Sequence, residues 1–588
     1  MFIVLTYGFW VSPDFKEISA GVAVFLFGML FLEEGFKAFT GGLLERLLNK
    51  TTDKLWKSVS FGVVSTTIMQ SSSLVSVITI SFLSAGLISL AAGIGIIFGA
   101  NLGTTTGAWL IAGFGLKVKI SAYAMPMLVF GIILVFQKSS HLKGIGYILA
   151  GLGFLFLGIH HMKEGFEAFR TTIDLKAFAV DGYTGLFLFT ALGVAATVIM
   201  QSSHATLVII ITALAAQQIT YENGLALAIG ANIGTTITAI IGSMSSNVQG
   251  KRLAMAHLIF NMVTALIAVI FIYQIIDMVD RFSNSVGIEQ DDYTLKLAVF
   301  HTIFNSIGIL AMIPFTNVLV NFLNRILPDK KVDIATPIYL SEAAENMPDT
   351  ALESVRKETL RLYENAFTII AHGLSLHRHD ILSTRDAELI VNDTKKPMPI
   401  DIDDEYNKSV KGLYSEIVAF ISRAQAQMTP EQAEELYELR SAGRDIVESI
   451  KDTKHMNKNL STYIVSKNQH IRGEYNKIRK QLMLIFRELN EVSQTGDILS
   501  LDNLILESKM NDTTENGTLE KLIHDNKITA EMATSLMNDM SYSHDVSKHL
   551  LQMGKVLFAT GDIDMKVVER SIMLDENEMD ELAAATQK

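Results

Sequence analysis

The sequence predicts an all-α protein with two unlike halves. The first is a polytopic membrane half of two inverted copies of one unit, each with a re-entrant hairpin and a broken helix. The second is a soluble helical bundle. Three observations lead there. Residues 1–330 hold 19 Lys/Arg, 17 Asp/Glu and 32 of the 40 glycines, while residues 331–588 hold 30 and 44 charges, so the net −12 belongs to the second half. Apolar runs near the length of a bilayer crossing, about 20 residues, recur only in the first half. A pair of polar motifs occurs there twice at one offset. Apolar residues make up 49% of the 588 and the mean hydropathy is +0.32. The acidic balance excludes a nucleic-acid binder steered by bulk positive charge. The lack of cysteine excludes a disulfide framework, a thiolate metal site and a Cys nucleophile.

Met1–Trp10 is apolar but has no basic stretch before it, and Asp14, Lys16 and Glu17 follow, so no cleavable signal is read. The first span is expected at 18–40. Residues 58–87 are apolar but interrupted midway by Gln70-Ser71-Ser72-Ser73. Each arm of about 13 residues makes about 20 Å of helix, short of a hydrocarbon core of about 30 Å. A hairpin that enters and returns fits better than a crossing. Spans are expected at 89–113 and 119–137. The same order then repeats: span 144–162, hairpin 183–217, spans 222–246 and 253–277. A last span covers 297–326.

The repeat is explicit. Gln70-Ser71-Ser72 recurs as Gln201-Ser202-Ser203, and Gly99-Ala100-Asn101-Leu102-Gly103-Thr104-Thr105 recurs as Gly230-Ala231-Asn232-Ile233-Gly234-Thr235-Thr236, both 131 residues on. Over 62–105 against 193–236, 21 of 44 residues match. Three crossings per copy, an odd number, invert the second copy relative to the first. The hairpins would then enter from opposite faces and meet near the midplane. Flanking Lys and Arg number ten on the side of Arg46, Lys57 and Arg325 and eight on the side of Lys16 and Arg281, which places the first side and the C-terminal half in the cytoplasm.

Polar groups at membrane depth are costly unless satisfied or lining a cavity. Neither motif contains Lys or Arg. Broken helices still offer an anion free N–H groups and positive dipole ends, and Ser and Thr hydroxyls donate to phosphate-type oxygens. Gln and Asn carbonyls and hydroxyl oxygens suit Na⁺, a hard cation. Gly99, Gly103, Gly230 and Gly234 would permit the unwinding. The plainer reading of Ser, Thr and Gly is close helix packing.

The paired Gln-Ser-Ser motifs resemble the signature of the sodium/phosphate cotransporter family, the type II relatives, over residues 18–325. The resemblance implies Na⁺-coupled movement of inorganic phosphate by alternating access, with sodium as coupling ion and no other cofactor. It implies a substrate site at Gln70, Ser71, Ser72, Ser73, Gln201, Ser202, Ser203, Thr104 and Thr235, and sodium ligands at Gln70, Asn101, Thr105, Gln201, Asn232 and Thr236. The second motif departs from the family pattern, with His204 where Ser is usual.

His257 and Asn261 are four apart, as are His301 and Asn305, so each pair shares a helix face and is read first as interhelical hydrogen bonding. Glu33, Glu34 and Glu164 read as interfacial, as do His160 and His161, which lack a third metal ligand at suitable spacing.

Residues 331–348 read as a linker. Amphipathic helices are expected at 349–378, 403–427, 430–464, 467–494, 499–525 and 528–560, the third opened by Thr429-Pro430-Glu431-Gln432. Gly561-Asp562 would end the last long helix, and Asp575 to Glu581 reads as a solvated tail. This bundle resembles the PhoU-like regulatory domain. Its nearest match to an acidic metal cluster is Asp401, Asp403, Asp404 and Glu405, which more simply favour a helix start.

No P-loop or other hydrolase motif is present, so no enzyme is expected. The expected setting is the bacterial inner membrane, with phosphate, sodium and lipid as partners and a homodimer as one assembly open to it. Two other readings stand beside this one: a transporter of another oxyanion or a dicarboxylate, and a membrane-anchored sensor whose bundle is the working part.

Overall fold

In the computed structural model, residues 2–40, 54–115, 121–172, 175–329, 334–345, 347–504 and 518–559 are described, and every element among them is helical. The chain divides into two compact units, Met1–Lys330 with Ser341–Ala344, and Lys331–Leu340 with Glu345–Lys588. Among the described residues the first holds seven helices long and apolar enough to cross a membrane, as expected of a polytopic membrane protein; one of them is Gly182–Met200, a hairpin arm expected to be too short to cross, while the span expected at 119–137 is the shorter helix Ser121–Val135.

In this unit α1 (Phe2–Val11) precedes α2 (Pro13–Thr40). The first copy continues with α3 (Leu55–Met69), α4 (Ser72–Ser84), α5 (Leu90–Trp109) and α6 (Ser121–Val135). The second begins with α7 (Ser140–Thr172), then α8 (Gly182–Met200), α9 (Ser203–Ala215), α10 (Tyr221–Gly234), α11 (Thr236–Met244) and α12 (Val248–Ile270). Next come α13 (Ile272–Ser285), α14 (Tyr293–Met312) and, after a tight turn at Ile313–Phe315, α15 (Thr316–Ile326).

Both interrupted stretches reverse direction. Helix α3 runs parallel to α5: a Cβ at Gly95 would meet Ser58, one at Gly99 would lie 2.0 Å from the Val59 carbonyl, and one at Gly103 would meet Thr66. Helix α4 is joined to α5 by the short Ala85–Ser89 turn and packs back along it, with Thr79 near Gly93. Antiparallel to α5, it is antiparallel to α3 as well, so the chain turns back at Gln70 and Ser71. The second copy repeats this, with Gly230 against Thr190 at 2.0 Å and Gly234 against Thr197.

The glycines of the second motif therefore serve close helix approach and do not unwind α5, which runs unbroken through Gly99 and Gly103. Only the second copy breaks there, at Thr235, between α10 and α11. In the first copy the helix instead widens to a π-helix at Leu110–Gly115.

The equivalent helices α2 and α7 pack antiparallel. A Cβ at Gly28 would lie 2.7 Å from the Gly151 carbonyl, and one at Gly158 would lie 2.6 Å from that of Gly21. Gly21 corresponds to Gly151 and Gly28 to Gly158 at the 130-residue offset of this part of the repeat. The contact is thus reciprocal, as at a two-fold axis.

The second unit is a bundle of α16 (Pro348–Gly373), α17 (Lys411–Ala424), α18 (Pro430–Tyr463), α19 (Gln469–Thr495) and α20 (Ala530–Leu557). Thr429 and Gln432 form the capping box that opens α18. The 403–427 helix is in fact two, Ile402–Ser409 and α17, divided at Val410. Asp401 caps the first, and Asp403 and Asp404 pair with Lys454 and Lys408, so these acids close a helix start. The 334–340 stretch, expected as linker, is tied to the bundle by buried Glu358, whose carboxylate accepts from the N–H groups of Ile338 and Tyr339 at 2.8 Å each. Burial raises the Glu358 pKa, against the pull of those bonds and of Arg361. Part of the 499–525 helix, Gly561-Asp562 and Asp575 to Glu581 lie outside the described residues.

Candidate functional site

Each hairpin turns on a glutamine in the left-handed region. Gln70 has φ 51° and ψ 22°, and Gln201 has φ 54° and ψ 23°. Such a conformation costs a non-glycine residue about 1–2 kcal/mol. The next residue returns to extended backbone and caps the second arm. Ser71 Oγ accepts from the Leu74 N–H at 3.2 Å, and Ser202 Oγ from the Ala205 N–H at 3.2 Å. In both copies the sequence folds this way because a serine N-cap restarts a helix directly after the reversal. Helices α4 and α9 therefore begin at the tips with first-turn N–H groups that have no intrahelical acceptor, an arrangement suited to an anion.

The side chains divide into three groups. At the first tip, Gln70 Nε2 donates to the Thr67 carbonyl at 2.6 Å and to Thr106 Oγ1 at 3.2 Å, while Ser73 Oγ lies 3.1 Å from Thr238 Oγ1 of the other copy. At the second tip, the Gln201 side chain is exposed and Ser203 Oγ donates to Thr235 Oγ1 at 3.3 Å. The ring of His204 lies over Gly107 of α5 and stacks on Phe25 with centroids 5.9 Å apart. Ser72 is half-buried beside these residues in the chain.

The threonines form the second group. Thr104, Thr105 and Thr236 donate to the carbonyls of Ala100, Leu102 and Ile233 at 2.9, 2.8 and 2.8 Å. Their protons are committed, so their oxygens offer lone pairs, which suits a cation better than an anion.

The third group ties helices together. Asn101 Nδ2 lies 2.9 Å from the Ile97 carbonyl and 3.3 Å from His257 Nε2. Asn232 Nδ2 donates to Asn261 Oδ1 at 3.2 Å and to Asn305 Oδ1 at 2.9 Å. The His-x-x-x-Asn faces of α12 and α14 thus make the expected interhelical bonds. Sequence spacing could not show which helices they join. His257 Nδ1, His301 Nδ1 and Asn261 Nδ2 are buried without a hydrogen-bond partner among the described residues. Asn101 and Asn232, the sodium candidates, are therefore engaged with other helices, whereas Gln201 is open.

His160 Nε2 lies 3.3 Å from Glu164, and His161 Nδ1 lies 2.5 Å from Glu17. Glu17, from α2, joins His161 and Glu164 in a group of metal-ligand type that no local spacing announced.

Two hairpins with matched tips, set among apolar helices of crossing length, define a multi-pass membrane protein with a duplicated polar centre. The model of the Na⁺/Pi-cotransporter family matches residues 24–164 and 178–284, within the membrane half of the chain. The chain is 24% identical over 350 residues to a Salmonella typhimurium protein provisionally named inorganic phosphate export protein YjbB, covering 59% of this chain and 62% of the relative. The Escherichia coli K12 protein with the same provisional name is 25% identical over 368 residues, covering 62% and 65%. The uncharacterized protein YqeW of Bacillus subtilis is 28% identical over 317 residues, covering 53% of this chain and 98% of the relative. The chain thus spans just under two thirds of the two YjbB relatives. No solved structure matches.

Proposed function

We propose that this protein moves inorganic phosphate across a membrane, coupled to Na⁺, by alternating access of a site between the two hairpin tips. The observation that carries this reading is the matched geometry of Gln70-Ser71 and Gln201-Ser202, each a left-handed residue followed by a serine cap that aims a helix N-terminus at the tip. Phosphate would take the first-turn N–H groups of α4 and α9 and the hydroxyls of Ser71, Ser72, Ser73, Ser202 and Ser203. Na⁺ would take the oxygens of Gln70, Gln201, Thr104, Thr105, Thr235 and Thr236. Asn101 and Asn232 would serve it only by exchanging their present partners. The reciprocal packing of α2 and α7 supports copies of opposite orientation, since equivalent helices run in opposite directions. That is the symmetry an alternating-access transporter uses.

The family and the names of the relatives support phosphate as cargo. A symporter runs in whichever direction its combined gradients dictate, so a role in export and a role in uptake use the same site. The C-terminal bundle would regulate flux from the cytoplasm. Purified protein in liposomes should take up radiolabelled phosphate when Na⁺ is high outside, and not when choline replaces Na⁺. Absence of phosphate flux in any gradient would favour a sensor. Flux of sulfate or a dicarboxylate that phosphate does not compete with would reassign the cargo.

A further inference from the structure

The 131-residue offset equates Ser73 with His204 and Gly107 with Thr238. These four residues make one contact twice. Ser73 Oγ lies 3.1 Å from Thr238 Oγ1, joining the first tip to α11. His204 lies over Gly107, joining the second tip to α5: a Cβ at 107 would fall 1.9 Å from Cε1 and 2.6 Å from Nδ1 of the ring. Each tip thus reaches a helix of the opposite copy at the corresponding position. Both partners differ between the copies, and they differ in compensating directions: small hydroxyl on hydroxyl in one, large ring on a residue without side chain in the other. Phe25 stacks on the ring, so the ring cannot retreat freely from a Cβ at 107.

We propose that His204 and Gly107 are a matched pair that removes, at this position of the second tip, the hydroxyl cation seat that Ser73 and Thr238 form at the first. The proposal rests on the Na⁺-coupled reading above. Thr238 gives its own proton to the Thr235 carbonyl at 2.8 Å, so its oxygen faces Ser73 with lone pairs. A hard cation can part that pair and be held by both oxygens. At the second tip Gly107 brings no side-chain oxygen, and imidazole nitrogen is a poor ligand for a hard cation. The ring fills the room a cation would need. The two copies of this chain are therefore unequal at this position in the ions they hold, although their backbones turn alike.

The test is a double-mutant cycle of H204S and G107T, read by melting temperature in detergent and by Na⁺ dependence. G107T alone should melt well below the parent because the threonine strikes the ring. H204S alone should lose less, through an unfilled space. The double variant should recover most of the G107T loss. In the double variant, the logarithm of phosphate affinity against the logarithm of Na⁺ concentration should steepen by about one ion relative to the parent. An equal melting loss from G107T with and without H204S would end the matched pair. A recovered double variant with the parent's slope would end the cation seat. A parent with no Na⁺ dependence would instead overturn the transport reading. The seat is then decided by whether Na⁺, against choline, raises the melting temperature of the double variant more than that of the parent.

Discussion

Gln70 and Gln201 adopt the same left-handed backbone, φ 51° and 54°, at equivalent turns of two hairpins 131 residues apart. Glycine would fit that conformation without penalty, yet both positions carry a side chain that can bind an ion. Gln70→Gly and Gln201→Gly should therefore leave the fold intact. For Gln201, whose exposed side chain makes no hydrogen bond among the described residues, the change should be neutral to stabilising by about 1 kcal/mol. Phosphate flux should fall sharply in both. Melting curves and liposome uptake check this, and parent-like flux from both folded variants would place the site elsewhere.

Close approach at Gly99 and Gly230 holds each first arm on its partner helix. A methyl group there would lie 2.0 Å from the carbonyls of Val59 and Thr190. Backbone cannot give way as a side-chain end does, so Gly99→Ala and Gly230→Ala should each cost about 1–3 kcal/mol or more. Gly113→Ala is the control, since its nearest contact would be Leu295 Cδ2 at 4.0 Å. Equal melting temperatures for all three would contradict the packing described.

Every residue assigned to the site lies in the first unit. Arg252 closes that unit by donating to the Leu327 carbonyl at 2.9 and 2.7 Å and pairing with Asp329 at 3.1 Å. Truncation after Ala344 keeps these contacts and should leave a protein that still transports, with altered rate or regulation. Complete loss of flux from a folded truncated protein would make the bundle part of the transport machinery.

In the bundle, His549 Nδ1 lies 3.4 Å from Asp445, and Nε2 lies 3.9 Å from Asp452. The Asp445 contact outweighs partial burial and raises the imidazole pKa above its ordinary 6.5. The folded state thus binds this proton more tightly than the unfolded one. The stabilisation is complete below pH 6.5 and is lost as pH rises through the raised value. The melting temperature of the bundle transition should fall over that window in the parent, and His549→Gln should flatten the fall. An identical pH profile in the variant would remove His549 as its source.

Much of the membrane half was legible because its logic is local. An interrupted apolar run, a duplicated Gln-Ser-Ser and a serine cap suffice to place both reversals. What escaped depends on partners distant in sequence. Asn101 and Asn232 read as ion ligands, yet their partners His257, Asn261 and Asn305 lie on helices that only the fold brings near. Gly99 and Gly230 read as points of unwinding because glycine permits both strain and close approach, and only the neighbouring carbonyl decides between them. The seven-residue spacing of Gly21, Gly28 and Gly35, repeated in Gly144, Gly151, Gly158 and Gly165, was a usable signal for the α2–α7 contact. The division at Val410 has no proline to announce it, and Gly412, two residues on, was the one local signal.

In the proposed mechanism sodium and phosphate share one site. The tip motifs supply no Lys or Arg, and a helix N-terminus contributes only about half a charge, so Na⁺ must balance most of the anion. Phosphate should then bind more tightly as Na⁺ rises, and Na⁺ more tightly as phosphate rises, by the same factor. The direct measurement is a phosphate titration of the purified full-length protein in NaCl and in choline chloride at equal ionic strength. The account predicts markedly tighter binding in NaCl, with the reciprocal shift when Na⁺ is titrated at fixed phosphate. Equal phosphate affinity in the two salts would contradict it, because the anion would then be held by groups other than the hairpin tips and their sodium.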